Sequence, residues 1–159
     1  MKLYVMRHGP AEDFAASGHD ADRALTESGR ERVRLVAKLL AESDEAPRAI
    51  VSSPLVRALQ TAEIVAATTG VTQVETSREL APGGNARAFV SAIMRDDKRR
   101  VMIVGHEPDL STLLETMLGS FSRDMLKAMV VGVHLRESAR LRFVLDPKSL
   151  RIERVENTV

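Results

Sequence analysis

The stretch Lys2-Leu3-Tyr4-Val5-Met6-Arg7-His8-Gly9 decides the architecture. Four apolar or aromatic residues run unbroken from Leu3 to Met6 and stop abruptly at Arg7-His8. Such a run is too short for a signal-peptide core or a bilayer span, which needs about 20 residues. It reads instead as a strand buried on both faces, the kind found inside parallel sheets. The pattern repeats downstream. Ala49-Ile50-Val51 ends at Ser52-Ser53-Pro54, and Val101-Met102-Ile103-Val104 ends at Gly105-His106-Glu107-Pro108.

Between these runs the apolar spacing changes to that of helices. Thr26 is a good N-cap for a helix carrying Val33, Val36, Ala37 and Leu40 on one face. Ser53-Pro54 predicts an N-cap followed by proline at the first helical position, opening a helix through Thr69 that Gly70 stops. Residues 71–74 read as a short strand, Pro82-Gly83-Gly84 as a loop and 85–95 as a helix. Pro108-Asp109 opens another helix, to Leu118. The last third changes character: residues 130–135, 141–145 and 150–155 read as strands that add to the sheet antiparallel. The expectation is an α/β protein, a three-layer α/β/α sandwich with a mostly parallel central sheet. No repeat or linker interrupts it, so residues 1–159 are expected to form a single domain.

Composition narrows the function. The 159 residues are 44% hydrophobic and 28% charged, which is the balance of a folded globular chain. The 23 Lys+Arg and 22 Asp+Glu leave a net charge of +1, and aromatics make up 3%; neither suits a nucleic-acid partner. Zero cysteines exclude disulfides, thiolate metal ligands and cysteine nucleophiles. Nothing in the sequence calls for a membrane partner, and the expected location is cytoplasmic.

Three polar signatures follow three strands: Arg7-His8-Gly9, then Ser53-Pro54-Leu55-Val56-Arg57 with Gln60-Thr61-Ala62, then Gly105-His106. In open α/β sheets ligands bind beyond the carboxyl ends of the strands, so these residues are expected at one crevice. Two guanidinium forks, a helix N-terminus and two histidines make an anion site with a nucleophile. Taken singly, each has an ordinary structural use: a hydrogen-bonded loop histidine, a salt-bridged arginine, loop packing at His106. The charged run Asp96-Asp97-Lys98-Arg99-Arg100 reads as a solvated loop, and Met117, Met125 and Met129 as packing residues. His134 reads as a satisfied sheet histidine, and Arg23 as an ion-pair partner of Asp20 or Asp22.

Arg7-His8-Gly9 after the first strand resembles the signature of the histidine phosphatase superfamily, which includes the phosphoglycerate mutases. Arg23-Ala24-Leu25-Thr26-Glu27-Ser28-Gly29 is similar to the opening of that family's first helix. The blocks at 53–62 and 105–106 match its later motifs in the same order. The Met6-Arg7-His8-Gly9-Pro10-Ala11 start, the short length and Glu79-Leu80-Ala81-Pro82-Gly83-Gly84 look most like the SixA-type phosphohistidine phosphatases. The resemblance implies a phosphoglycerate mutase-like fold, His8 as nucleophile, and Arg7, Arg57 and His106 as phosphate-binding groups. Like-charge repulsion from these neighbours is expected to keep His8 neutral. No metal or other cofactor is implied, since the side chains already supply the positive charge. The family's general acid follows the third short strand, where Glu79 fits; His19, Asp20 and Asp22 are rivals.

The implied partner is a phosphorylated protein, such as a histidine phosphotransfer domain, or a small phosphorylated metabolite. A non-catalytic phospho-ligand module is the reading from another class. Mutase activity fits less well, because the chain lacks the long insertions that enclose a phosphoglycerate.

Overall fold

The computed structural model describes residues 1–95 and 100–155. Its strands are β1 (Lys2–Arg7), β2 (Ala49–Ser52), β3 (Val74–Thr76), β4 (Arg100–Gly105), β5 (Val130–Leu135), β6 (Ala139–Asp146) and β7 (Arg151–Arg154). Its helices are α1 (Glu27–Glu42), α2 (Val56–Thr69), α3 (Ala86–Arg95) and α4 (Asp109–Leu118). All seven strands form one sheet in the order β3-β2-β4-β1-β5-β6-β7. The pairings β3·β2, β2·β4 and β4·β1 are parallel; β1·β5, β5·β6 and β6·β7 are antiparallel. Five strands therefore share one direction, and the antiparallel additions lie on the C-terminal side, as the sequence predicts.

Alternation along the central strands builds the three layers. Leu3 and Val5 of β1, with Val101 and Ile103 of β4, face α3 and α4 through Val90, Ile93, Leu110, Leu113 and Leu114. Tyr4, Met6, Met102 and Val104 point the other way, onto Val33, Val36, Ala37 and Leu40 of α1 and Ala58, Ala62 and Val65 of α2. These side chains are buried, and each large one contributes roughly 1.5–3 kcal/mol of transfer free energy. Met125 and Met129 lie in the core with Met117 against it. His134 is half-buried inside the sheet, opposite Lys2.

The capping signals at Thr26 and Gly70 hold, whereas Ser53-Pro54 does not cap α2. Thr26 Oγ1 accepts from Gly29 N–H at 2.9 Å, and Gly70 ends α2 in the left-handed conformation at φ 80°. β6 spans Ala139–Asp146 and β7 Arg151–Arg154, against the expected 141–145 and 150–155, α3 starts one residue late at Ala86, and two further boundaries differ for local reasons. β3 begins at Val74 rather than Val71, because residue 71 still completes the end of α2 through Val71 N–H to Ala66 O. And α2 begins at Val56, because Ser53 is engaged elsewhere, as described below. Of the charged run at 96–100, residues 96–99 lie outside the described residues.

One polar group is buried at the opposite side of the core. The Glu45 carboxylate, 2% exposed, accepts from Tyr4 Oη, Arg142 and Arg154 at 3.1 Å each and lies 3.6 Å from Lys2 Nζ. It ties the connection after α1 to β1, β6 and β7. Burial, and after it the adjacent Glu45 carboxylate, push the Tyr4 phenol up, so it remains a donor. No helix among the described residues is long and apolar enough to cross a membrane.

Candidate active site

The strand register assembles the site. Arg7 pairs with Gly105 and Ser52 with Val104, so β1, β4 and β2 end side by side. The ladder continues one residue further: His8 N–H donates to Gly105 O at 3.1 Å and Ser53 N–H to Val104 O at 2.9 Å. His8, His106 and Ser53 thus leave three adjacent strands at one level, and Arg57 enters from the first turn of α2. All four are buried.

Close packing holds the turn after His8. A Cβ on Gly9 would come within 2.6 Å of Val33 Cγ2, and one on Gly29 within 2.1 Å of Pro10 O. Only glycine at both positions lets α1 lie directly against the His8 loop. Gly9 N–H donates to Thr61 Oγ1 at 3.0 Å, and Thr61 Oγ1 donates to Arg57 O at 2.8 Å, linking the loop to α2. Gln60 Oε1 accepts from Leu25 N–H at 2.8 Å and fixes the chain entering α1.

The hydrogen bonds assign the His8 proton and limit the choices at His106. His8 Nδ1 lies 2.7 Å from Gly9 O. A carbonyl only accepts, so Nδ1 carries the hydrogen and the lone pair is on Nε2. His106 Nε2 lies 2.7 Å from Ser53 Oγ, which already accepts from Leu55 N–H at 3.2 Å. In the tautomer that carries the His106 proton on Nδ1, Nε2 accepts from the Ser53 hydroxyl and Nδ1 is left to donate into the crevice. The two rings sit 5.2 Å apart, centroid to centroid.

Both histidines are held neutral. His8 is pushed down to about 4, first by burial and then by the charges of Arg57, Arg7 and Lys127, against the opposing pull of the Gly9 carbonyl. Burial is also the first cause for His106, pushed down to about 3, followed by His8 and Arg57. Neutrality was expected from like-charge repulsion; desolvation is the larger cause, and His106 is not among the groups acting on His8.

The arginines are anchored at one end. Arg7 donates to Met125 O at 2.8 Å, and Met125 N–H in turn donates to Glu107 at 3.2 Å. Arg57 donates to Asp20 O at 3.0 Å and to Asp20 Oδ2 at 3.2 Å. Four buried side-chain nitrogens among the described residues have no hydrogen-bond partner, and three belong to this crevice: Arg7 Nε, Arg57 Nε and His106 Nδ1. Leaving a buried donor unpaired costs about 1–3 kcal/mol, so three in one place mark a site suited to an anion. The described residues contain no group of three or more His, Asp or Glu side chains arranged to hold a metal ion.

The candidate acids are placed differently. Glu79 is exposed on a short 3-10 turn, Arg78–Leu80, whose Leu80 carbonyl abuts Gly105 at the end of β4. Its carboxylate makes no hydrogen bond or ion pair with Arg7, His8, Arg57 or His106. Asp20 touches Arg57 and also accepts from Arg23 Nε at 2.9 Å; that bond and the Arg57 charge hold its carboxyl below the usual range. Asp22 accepts from Ser17 Oγ at 2.7 Å, and His19 is exposed. The contacts of Ser53 with His106, of Thr61 with the His8 loop and of Asp20 with Arg57 were not read from sequence. Ser53 reads as a helix cap, and only the strand register brings it to His106.

A seven-stranded sheet with a two-histidine, two-arginine crevice at the ends of parallel strands defines a phosphoryl-handling α/β enzyme. The model of the histidine phosphatase superfamily (branch 1) matches residues 3–82. Over 120 residues, 74% of this chain and 73% of the relative, the sequence is 39% identical to an uncharacterized protein of Picosynechococcus sp. (strain ATCC 27264 / PCC 7002 / PR-6). It is 29% identical over 143 residues to the phosphohistidine phosphatase SixA of Escherichia coli (strain K12), covering 87% of this chain and 88% of that one. The solved structure of the protein histidine phosphatase SixA complexed with tungstate superposes with a TM-score of 0.87 at 26% identity, over 95% of this chain and 100% of that chain. The chain belongs to the histidine phosphatase superfamily: it has the phosphoglycerate mutase-like fold and is a phosphatase-type hydrolase.

Proposed function

We propose that residues 1–159 act as one catalytic domain that removes phosphoryl groups from phosphohistidine on proteins, through a phosphohistidine formed on His8. His8 Nε2 attacks phosphorus while the bond to the substrate imidazole breaks. The three equatorial oxygens take hydrogen bonds from Arg7, Arg57 and His106 Nδ1. Glu79 gives the departing group its proton; Asp20, held ionised by two arginines, is poorly suited to that task. Water then attacks the phosphorus on His8, passing a proton to Glu79, and orthophosphate leaves. Arg7, Arg57 and His106 supply in side chains the positive charge that a divalent metal ion would otherwise bring.

The observation that carries this reading is the trio of unpaired donors beside a neutral histidine whose lone pair is on Nε2. The protein substrate is supported by the names of the SixA relatives and by a cleft on the connection whose Asp20 contacts Arg57. Phe14, 88% exposed, shares a cleft of about 390 Å³ with Asp20 and Arg23. An uncovered aromatic on the connection that reaches Arg57 suits a macromolecular partner.

Two measurements test it. Brief exposure to a labelled phosphodonor should leave acid-labile, base-stable phosphate on His8, and His8→Ala should abolish label and turnover with the fold intact. Label on His106, or turnover surviving in the variant, overturns the nucleophile. For the substrate, kcat/KM on phosphohistidine proteins should exceed that on phosphosugars and nucleotides; the reverse order assigns the enzyme to small molecules.

A further inference from the structure

Beside the candidate catalytic crevice lies a second cleft of about 360 Å³ that no step of the proposed reaction uses. It is lined by Arg7, Pro10, Arg32, Leu126, Lys127, Pro147 and Lys148. Its floor is apolar and its charged side chains are all cationic. Arg7 borders both spaces.

The cleft is built rather than incidental. Arg32 of α1 donates to Pro147 O, bracing the helix against the turn between β6 and β7. Asp146 fixes that turn by accepting from Lys148 N–H at 2.7 Å and Ser149 N–H at 3.1 Å. On the other wall, Ala128 N–H donates to both Arg7 O and His8 O, at 3.2 and 3.0 Å, which ties Lys127 to the backbone of the nucleophile itself. Lys127 is near enough for its charge to act on His8. Lys127 and Lys148 are exposed and have no ion-pair partner among the described residues.

We propose that this cleft is a second anion subsite, which takes an acidic side chain of the phosphorylated protein while its phosphoryl group occupies the neighbouring crevice. The fit is chemical. The methylenes of a Glu or Asp side chain rest on Pro10, Leu126 and Pro147, and the carboxylate meets Lys127 and Lys148. The proposal rests on the phosphohistidine reading above and narrows it to substrates with acidic residues flanking the phosphorylated histidine.

The test uses two phosphohistidine peptides that differ only in flanking glutamates or glutamines, with p-nitrophenyl phosphate as the uncharged-flank control. Exposed ion pairs of this kind predict about three- to tenfold higher kcat/KM for the glutamate peptide at low salt, fading as salt rises. Lys148→Met combined with Lys127→Met should erase the preference, and Lys148→Glu should reverse it. Turnover of p-nitrophenyl phosphate should be unchanged by Lys148→Met. Equal rates on the two peptides, or a preference that survives the substitutions, overturn the subsite. A lysine-dependent preference for phosphoserine over phosphoethanolamine without any between the peptides overturns the protein source. Calorimetric binding of non-hydrolysable phosphonate versions of both peptides reads the cleft independently of turnover. Enzyme that binds with glutamate preference yet hydrolyses neither peptide refutes the proposed reaction and leaves the cleft standing.

Discussion

Lowering the pH to 5 is the most discriminating perturbation of the candidate site. A histidine pushed down to about 4 remains about nine-tenths neutral at pH 5, whereas one at the ordinary 6.5 is only about 3% neutral. The attacking lone pair is therefore about 30-fold more available than an unperturbed imidazole would allow. In kcat/KM, which reports the free enzyme, the acid limb attributable to His8 should lie near pH 4, once the substrate's own ionisation is divided out. The direct assay is an NMR titration of the four histidines, assigned by single substitution. Cause is separable from size. Burial is the largest contribution, so raising salt to about 1 M, where the screening length shrinks to about 3 Å, should leave the His8 midpoint low. A midpoint that climbs by more than about one unit would show that arginine repulsion, not desolvation, holds the ring neutral. The same shift sets a stability window. The unfolded chain takes up a proton near pH 6.5 and the folded one only near 4, so stability is full above 6.5 and falls between those values. His8 alone accounts for about 3 kcal/mol of that loss, readable as a falling urea midpoint.

Arg7→Ala and Arg57→Ala should each lower kcat/KM by about 10²–10³-fold, with partial rescue by lysine, which offers no planar fork. Vanadate should compete with substrate and chelators should leave the rate unchanged; inactivation by EDTA would refute the side-chain charge argument. Glu79→Gln should slow hydrolysis of an alkyl phosphate by about 10²–10⁴-fold, but that of an activated aryl phosphate far less, since the aryl group departs without a proton. Equal losses would return the acid to Asp20 or Asp22. Glu45→Ala should cost about 1–3 kcal/mol in denaturant titrations, because it leaves the buried Tyr4 hydroxyl without its acceptor and removes the shared partner of three partly exposed cations, while kcat of the folded enzyme stays the same.

The strands were legible because a two-faced buried strand must be a short apolar run, and β1, β4 and β5 are such runs. Residues that begin where those runs end, Arg7, His8 and His106, were legible for the same reason. What escaped depends on pairing across the chain. Whether Ser53 caps a helix or orients a histidine turns on the β2–β4 register, and neither strand reveals that alone. Glu45 has no sequence signal of its own, because its four partners come from positions 2, 4, 142 and 154, which only the folded sheet collects. The delayed start of β3 is a local competition, in which the αL turn at Gly70 spends residue 71 on closing the helix. The dominance of desolvation over repulsion at His8 is likewise a property of packing, invisible to a count of nearby charges.

The bonds from His8 N–H to Gly105 O and from Ser53 N–H to Val104 O make the reactive groups extensions of the sheet ladder rather than passengers on loops. The nucleophile and the hydroxyl that orients its partner histidine then belong to the most protected cooperative unit of the molecule. The contact from Asp20 to Arg57 belongs to an exposed connection and can open without disturbing that unit. Heating should therefore leave the catalytic geometry intact until the sheet itself melts, with no inactive but folded species in between. The access side is free to fluctuate at far lower temperature. Drift in the sequence of that connection can retune which substrates enter without touching the chemistry beneath it.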